Sequence, residues 1–375
     1  MNHQPIHRPN HQSWEVRSGE IVAQRLFDVA YAIDLAHLTA LWAGHGGAPG
    51  RRASFSRTPA KAVAFDVPPL LLELDTVTVT IDRKPLTLRV VVRFHDFGVV
   101  SLALRLPVAN RRWPAFADLM NAVDQSIGAA TSAAVWTELL ARVHAISAPA
   151  YTRPSGSALQ EDYLYAIVRE FDAALLDDAG LVTVLSGELR PLSDGARRDL
   201  LRQRFSYYDD DLVVLTWDRA FIYEPRGDTD VADVLEIANA QLLEMRYYDE
   251  LLDAELPRIY DLVEATQRAL LPQAPGRYAQ LARRLYGLVA EVTELKEKVD
   301  NALQVTEDVY LARIYSAALD LFRVPGVNRA VDRKLAIIRD TYTALYDEAS
   351  GRRAELLEIT IVALIALEIV LALLR

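Results

Sequence analysis

An α+β fold is predicted for this 375-residue chain: a mixed α/β N-terminal half with β-hairpins, then a long antiparallel helical (coiled-coil) hairpin, then a C-terminal transmembrane helix. Three observations predict it. The residues from Val77 to Leu106 are β-branched and apolar in short runs separated by turn residues, which is the pattern of strands. Beyond Asp230, apolar residues recur at alternating spacings of three and four, which is the pattern of helices packed along a seam. The last nineteen residues before the terminal arginine, Leu356 to Leu374, are apolar apart from Glu358, Thr360 and Glu368.

Taken in order, residues 1–18 read as a disordered tail, because Pro5 and Pro9 oppose a helix and no apolar core of an export signal is present. Residues 19–150 read as a first α/β unit. Gly19 to Trp42 is expected to make a helix, or a helix with a short strand, and Gly44 to Pro59 a loop rich in glycine and arginine. The runs from Val77 to Leu106 form a β-meander, with His95-Asp96-Phe97-Gly98 turning the chain between the last two. Helices are expected at 115–127, just after Pro114, and at 132–146. Residues 151–228 read as a second α/β unit, with a helix near 194–204 and a hairpin from Leu212–Trp217 and Ala220–Glu224 joined at Asp218-Arg219.

Residues 230–350 form the helical region. One seam runs Leu235, Ala238, Leu242, Met245, Asp249, Leu252, Leu256, Ile259, Val263, Thr266 and Leu270; a second runs Leu281, Leu285, Leu288, Val292, Leu295, Val299 and Ala302. The short connection at residues 271–276 implies antiparallel arms of roughly 50 Å at 1.5 Å per residue, with Pro257 a kink point. A third seam runs Val331, Leu335, Ile338, Tyr342, Leu345 and Ala349. Heptads alone do not separate a coiled coil from the core of a closed bundle. Residues 354–374 would then span roughly 28 Å as a helix, close to the roughly 30 Å hydrocarbon core of a bilayer. The anchor is assigned to Leu356, Glu358, Ile361, Ile365, Glu368 and Leu371. Glu358 can sit at the interface, whereas Glu368, inside the apolar run, needs protonation or a partner. The alternative is a helix buried in an oligomer core. Arg352 and Arg353 before the segment favour a body on the cytoplasmic side of a bacterial inner membrane.

Composition bounds the chemistry. A net charge of −10 argues against a dedicated nucleic-acid binder. The absence of cysteine excludes disulfides, thiol catalysis and Cys-ligated zinc. His3, His7 and His11 have helical spacing but lie among prolines, and the remaining histidines show no ligand spacing, so no metal site is assigned. Asp209, Asp210 and Asp211 could hold a divalent cation, but fit a turn better. Gly44-His45-Gly46-Gly47 lacks the strand, helix and lysine of a phosphate loop. Arg197, Arg198, Arg202 and Arg204 are the densest basic cluster, a candidate contact for RNA or a partner. No nucleophile elbow occurs, so neither an active site nor a cofactor is expected.

Several segments nonetheless resemble a known family. Arg353-Ala354-Glu355-Leu356-Leu357-Glu358 with Leu367-Glu368-Ile369-Val370, Ser206-Tyr207-Tyr208 with Leu212 to Trp217, Leu295 to Asp300, and Lys334-Leu335 before Tyr342 and Asp347-Glu348-Ala349 are similar in order and spacing to the required-for-meiotic-nuclear-division family. The resemblance covers about Arg93 to Arg375 and implies a membrane-anchored protein, mitochondrial and supporting organellar translation in eukaryotes, with bacterial members largely uncharacterised. The expectation is therefore a non-catalytic, membrane-tethered scaffold or assembly factor, self-associating through its seams and tail; a ribosome- or RNA-associated module is the alternative.

Overall fold

The computed structural model describes residues 14–45, 50–54, 63–128, 133–171, 178–188, 190–227, 230–267, 274–305 and 308–373. The chain divides into two units, one of residues 1–244 and 298–325, the other of 245–297 and 326–375. His3, His7, His11, Gly46 and Gly47 lie outside the described residues.

In the first unit, the chain runs β1 (Glu15–Asp28), β2 (Ala30–Ile33), α1 (Leu35–Gly44), β3 (Arg51–Arg52), β4 (Val63–Phe65), β5 (Leu70–Ile81), β6 (Lys84–Phe94) and β7 (Val99–Arg112). It continues through α2 (Trp113–Ile127), α3 (Ala134–Ser147), β8 (Tyr151–Pro154), β9 (Gln160–Phe171), α4 (Asp178–Leu185), α5 (Asp194–Leu200), β10 (Gln203–Phe205), β11 (Leu212–Leu215) and β12 (Arg219–Tyr223). Nine strands join in one sheet of order β10-β11-β12-β9-β1-β7-β6-β5-β3. Residues on both sides of position 150 thus share a sheet, with β9 antiparallel to β1 and parallel to β12.

The helix expected at Gly19–Trp42 is a strand over most of its length. β1 lies between β9 and β7, and every residue from Glu20 to Asp28 is buried. A strand covered on both faces loses the polar alternation that would have marked it. Helix α1 begins only at Leu35, where the Asp34 carboxylate accepts hydrogen bonds from the amides of Ala36 and His37. The meander is present as β5, β6 and β7. Asp82 and Arg83, both at positive φ, close its first hairpin. Gly98, at φ +99, closes the second, where a Cβ would lie 1.7 Å from the Ala30 carbonyl oxygen. Pro114 stands in the first turn of α2, while α5 ends at Leu200, so Gln203–Phe205 is strand where a helix was expected.

The two sheet faces differ in kind. One is apolar: Ile21, Ala23 and Phe27 of β1, Val90, Val92 and Phe94 of β6 and Leu102, Leu104 and Leu106 of β7 pack under α1 to α4. Trp113 is at its centre, edge-on to Trp14, Phe171 and Phe221 at 5.3–5.7 Å. The alternate residues of the same strands, on the other face, mix Glu20, Gln24, Arg93 and Ser101 with Val22, Leu26, Val91 and Ala103, all buried.

Three long helices follow: α6 (Asp230–Gln267), continuous through Pro257, α7 (Ala274–Asp300) and α9 (Val324–Leu373); between them are β13 (Leu303–Val305), paired with β4, and α8 (Val309–Leu321). In the second unit, Leu252 and Ile259 of α6, Leu281, Leu285, Val292 and Leu295 of α7 and Val331, Leu335, Ile338 and Leu345 of α9 are buried. Arg284 of α7 lies 3.3 Å from Glu255 of α6; Lys334 of α9 lies 2.7 Å and 2.6 Å from Asp249 and Asp253. Lys296 of α7 pairs with Asp332 of α9. The seams therefore meet one another as a packed helical bundle, the alternative that heptad spacing left open.

The expected transmembrane helix is not found: among the described residues no helix is long and apolar enough to cross a membrane. Leu356 is helical, but its side chain lies outside the described residues. From Leu357 to Leu371, including Glu358, Ile361, Ile365, Glu368 and Leu371, every side chain is exposed.

Candidate functional site: an apolar helix end and a buried charged seam

The apolar end of α9 is exposed at every described side chain from Leu357 to Leu371. Its ten large apolar side chains, from Leu357 to Leu371, are each 51–64% exposed. Consecutive positions such as Ile361-Val362, Leu364-Ile365 and Ile369-Val370-Leu371 point in different directions around a helix, so the apolar surface encircles the axis. A surface helix of a folded domain carries an apolar stripe on one side; one that is apolar all round is built to be buried all round.

Of the arginine cluster, Arg197, Arg198 and Arg204 line one shallow cavity together with Asp178 and Asp194. Arg197 and Arg198, on α5, turn their Nε donors onto the Leu192 and Asp194 carbonyls at 3.1 Å and 3.2 Å, and Arg204 donates to Asp178 at 2.9 Å. Arg202 is exposed. The acidic run resolves into a turn. Asp211 is buried, its carboxylate accepting from the amides of Tyr207 and Tyr208 at 2.7 Å and 3.1 Å, while Asp209 and Asp210 face solvent. Among the described residues no group of three or more His, Asp or Glu is placed to hold a metal ion. A cavity of about 250 Å³ opens beside this turn, lined by Tyr207, Tyr208, Glu224, Arg226 and Tyr310, with the Arg226 guanidinium 3.5 Å above the Tyr208 ring.

What sequence reasoning missed is the seam under the first turns of α6. Asp233 and Glu236, one turn apart, face the polar side of the sheet. Arg93 of β6 lies 2.5 Å from Asp233 and 3.5 Å from Glu236. His95 Nε2 is 3.1 Å from the other Glu236 oxygen, and Gln24 of β1 donates to Glu236 at 2.5 Å and to Ser101 of β7 at 3.0 Å. All six side chains are buried. Burial works against the charge of Arg93, but Asp233 and Glu236 outweigh it and hold the guanidinium above its ordinary value. Burial raises Asp233, with Arg93 opposing. For Glu236 burial also pushes upward, yet Arg93, His95 and Gln24 together keep it below the ordinary carboxylate range. The signal was present in two places: polar residues at every fourth position of an apolar strand, Glu20 and Gln24, and acids at every third position of α6, Asp230, Asp233 and Glu236. A search for apolar seams passes over both.

The sheet with its covering helices matches the family model described as the N-terminal domain of uncharacterized protein MJ0711, over residues 18–229. That is more than half of the chain, and the protein belongs to this family. Uncharacterized protein MJ0711 of Methanocaldococcus jannaschii is 25% identical over 213 residues, covering 56% of this chain and 64% of that relative. The match thus spans less than two thirds of the relative's length. No solved structure matches. Nothing in these comparisons supports the resemblance to the required-for-meiotic-nuclear-division family. The matched region ends one residue before α6 begins at Asp230, so the charged seam joins family residues of the sheet to a helix outside the match.

Proposed function

We propose that this protein is a tethered scaffold or assembly factor, working by position and not by chemistry, whose apolar end of α9 is embedded in a lipid bilayer. The exposed apolar end carries this reading. Ten large side chains at about half exposure leave on the order of 1000 Å² of apolar surface in water, roughly 25 kcal/mol at the usual transfer coefficient. Monomeric soluble proteins rarely leave a patch larger than a few hundred Å². A second helix laid alongside would cover one side only, whereas lipid covers every side. Glu368 opposes insertion by about 3 kcal/mol near mid-membrane, well below the gain. Tethering restricts the family domain and the helical bundle to a surface, which raises their effective concentration toward partners on that surface.

The test is fractionation of the full chain beside a version ending at Ser350. The reading expects the full chain to remain with membranes through high salt and alkaline carbonate and to leave only with detergent, while the shortened chain stays in the supernatant. Release of the intact protein by salt alone refutes it.

A further inference from the structure

We propose that Arg89, Arg105 and Arg169 form a receptor for a small phosphate-bearing anion, built around the buried carboxylate of Glu20 on the polar face of the sheet. Glu20 of β1 accepts from Arg89 of β6 at 2.9 Å, from Arg105 of β7 at 3.1 Å and from Arg169 of β9 at 3.2 Å. Three positive charges meet one negative charge, leaving a formal excess of two at one point. One arginine would suffice to neutralise Glu20, and like charges placed directly opposite on neighbouring strands destabilise a sheet. Arg89 and Arg105 are such a directly opposed pair.

The arrangement is built by the backbone. Between Gly19 and Ser18 the pairing of β1 with β9 jumps from Val168 to Glu170, so Arg169 is the extra residue of a bulge. Arg169 stands two residues beyond Ile167, the partner of Glu20, and so shares the face of the sheet that carries Glu20. The bulge requires glycine opposite it, because a Cβ on Gly19 would stand 2.6 Å from the Ile167 carbonyl oxygen. Two of the three guanidiniums remain reachable: the Arg89 side chain is 52% exposed and that of Arg169 37%, against 14% for Arg105 and 2% for Glu20. Each guanidinium carries five N–H donors, and Glu20 takes one hydrogen bond from each. Arg105 Nε is buried with no partner among the described residues. Surplus donors in forked geometry around one point match the oxygens of a phosphoryl group. A nucleic-acid backbone fits less well, since the arginines converge on one spot instead of tracking a groove, and a net charge of −10 repels a long polyanion.

Titration calorimetry of the full chain with pyrophosphate, at low ionic strength, tests this. Saturable one-to-one binding is expected, weakened roughly tenfold or more for each guanidinium lost. In the Arg89→Ala/Arg169→Ala variant, Arg105 still neutralises Glu20, so the circular dichroism spectrum and unfolding midpoint should stay near those of the parent while binding falls about 100-fold. Absence of saturable binding by the parent at millimolar pyrophosphate overturns the proposal. So does undiminished binding by the folded double variant, or displacement by equimolar chloride as effective as by phosphate.

Discussion

Replacing Arg93 by methionine should test whether the charged seam holds α6 to the sheet. Arg93 is 9% exposed and is the cation shared by Asp233 and Glu236, themselves 4% and 5% exposed. Removing one partner of a buried pair costs about 3–5 kcal/mol, because the remaining charge stays buried without compensation. His95 and Gln24 still serve Glu236, so the loss falls mainly on Asp233. Burial already raises this carboxyl against the pull of Arg93, and without that pull it should bind a proton in the folded state at a higher pH. Above its unfolded value, near 4, the folded variant then holds more protons than the unfolded chain, so its stability falls as pH rises. The variant should consequently be nearest to the parent at about pH 5 and furthest from it at about pH 8. Urea unfolding followed by tryptophan fluorescence reads this directly, since Trp14, Trp42, Trp113 and Trp136 are all buried in the sheet unit. Adding Asp233→Leu to Arg93→Met should recover much of the loss, because the stranded carboxylate is then gone. A cost below about 1 kcal/mol, or one that does not change between pH 5 and 8, would refute the account.

Asp28, pushed up to about 6 by burial against a hydrogen bond from Ser155 at 2.7 Å, should make the parent lose stability as pH rises from about 4 to 6, by up to about 3 kcal/mol; Asp28→Asn should flatten that slope in urea titrations at stepped pH. Gly98→Ala should destabilise by about 3 kcal/mol or more, since it combines φ +99 with a Cβ 1.7 Å from the Ala30 oxygen, and the thermal midpoint of the sheet unit should fall by several degrees. Ile365→Asp, in the middle of the exposed apolar end, should weaken partition into liposomes by about 3 kcal/mol, roughly a hundredfold, in flotation assays.

Local patterns wrote much of this fold into the sequence. The meander is legible because β5 to β7 are hairpin neighbours closed by Asp82-Arg83 and Gly98, and the long helices because their seams repeat every three or four residues, although that spacing favours a coiled-coil hairpin over the bundle they form. β1 is illegible because both its faces are covered, which removes the alternation, and because its partners β7 and β9 lie far along the chain. The bulge beside Arg169 is a property of pairing and leaves no mark on either strand alone. The charged seam failed to register for another reason: Asp233 and Glu236 look like the solvent side of a helix until the strand bearing Arg93 and the turn bearing His95 are placed beneath them.

The polar face of the sheet also bears on how the chain is made. Gln24 and its partner Glu236 are 212 residues apart, so at about 5–20 residues per second the ribosome works for roughly 10 to 40 seconds after the first strand emerges before the helix that covers it exists. A naked apolar face would spend that time as an invitation to aggregate. Arg93, His95, Gln24 and Ser101 instead interrupt the apolar residues of the waiting face, Val22, Leu26, Val91 and Ala103 among them, and the acids that later pair with Arg93 and His95 arrive together on a single helix.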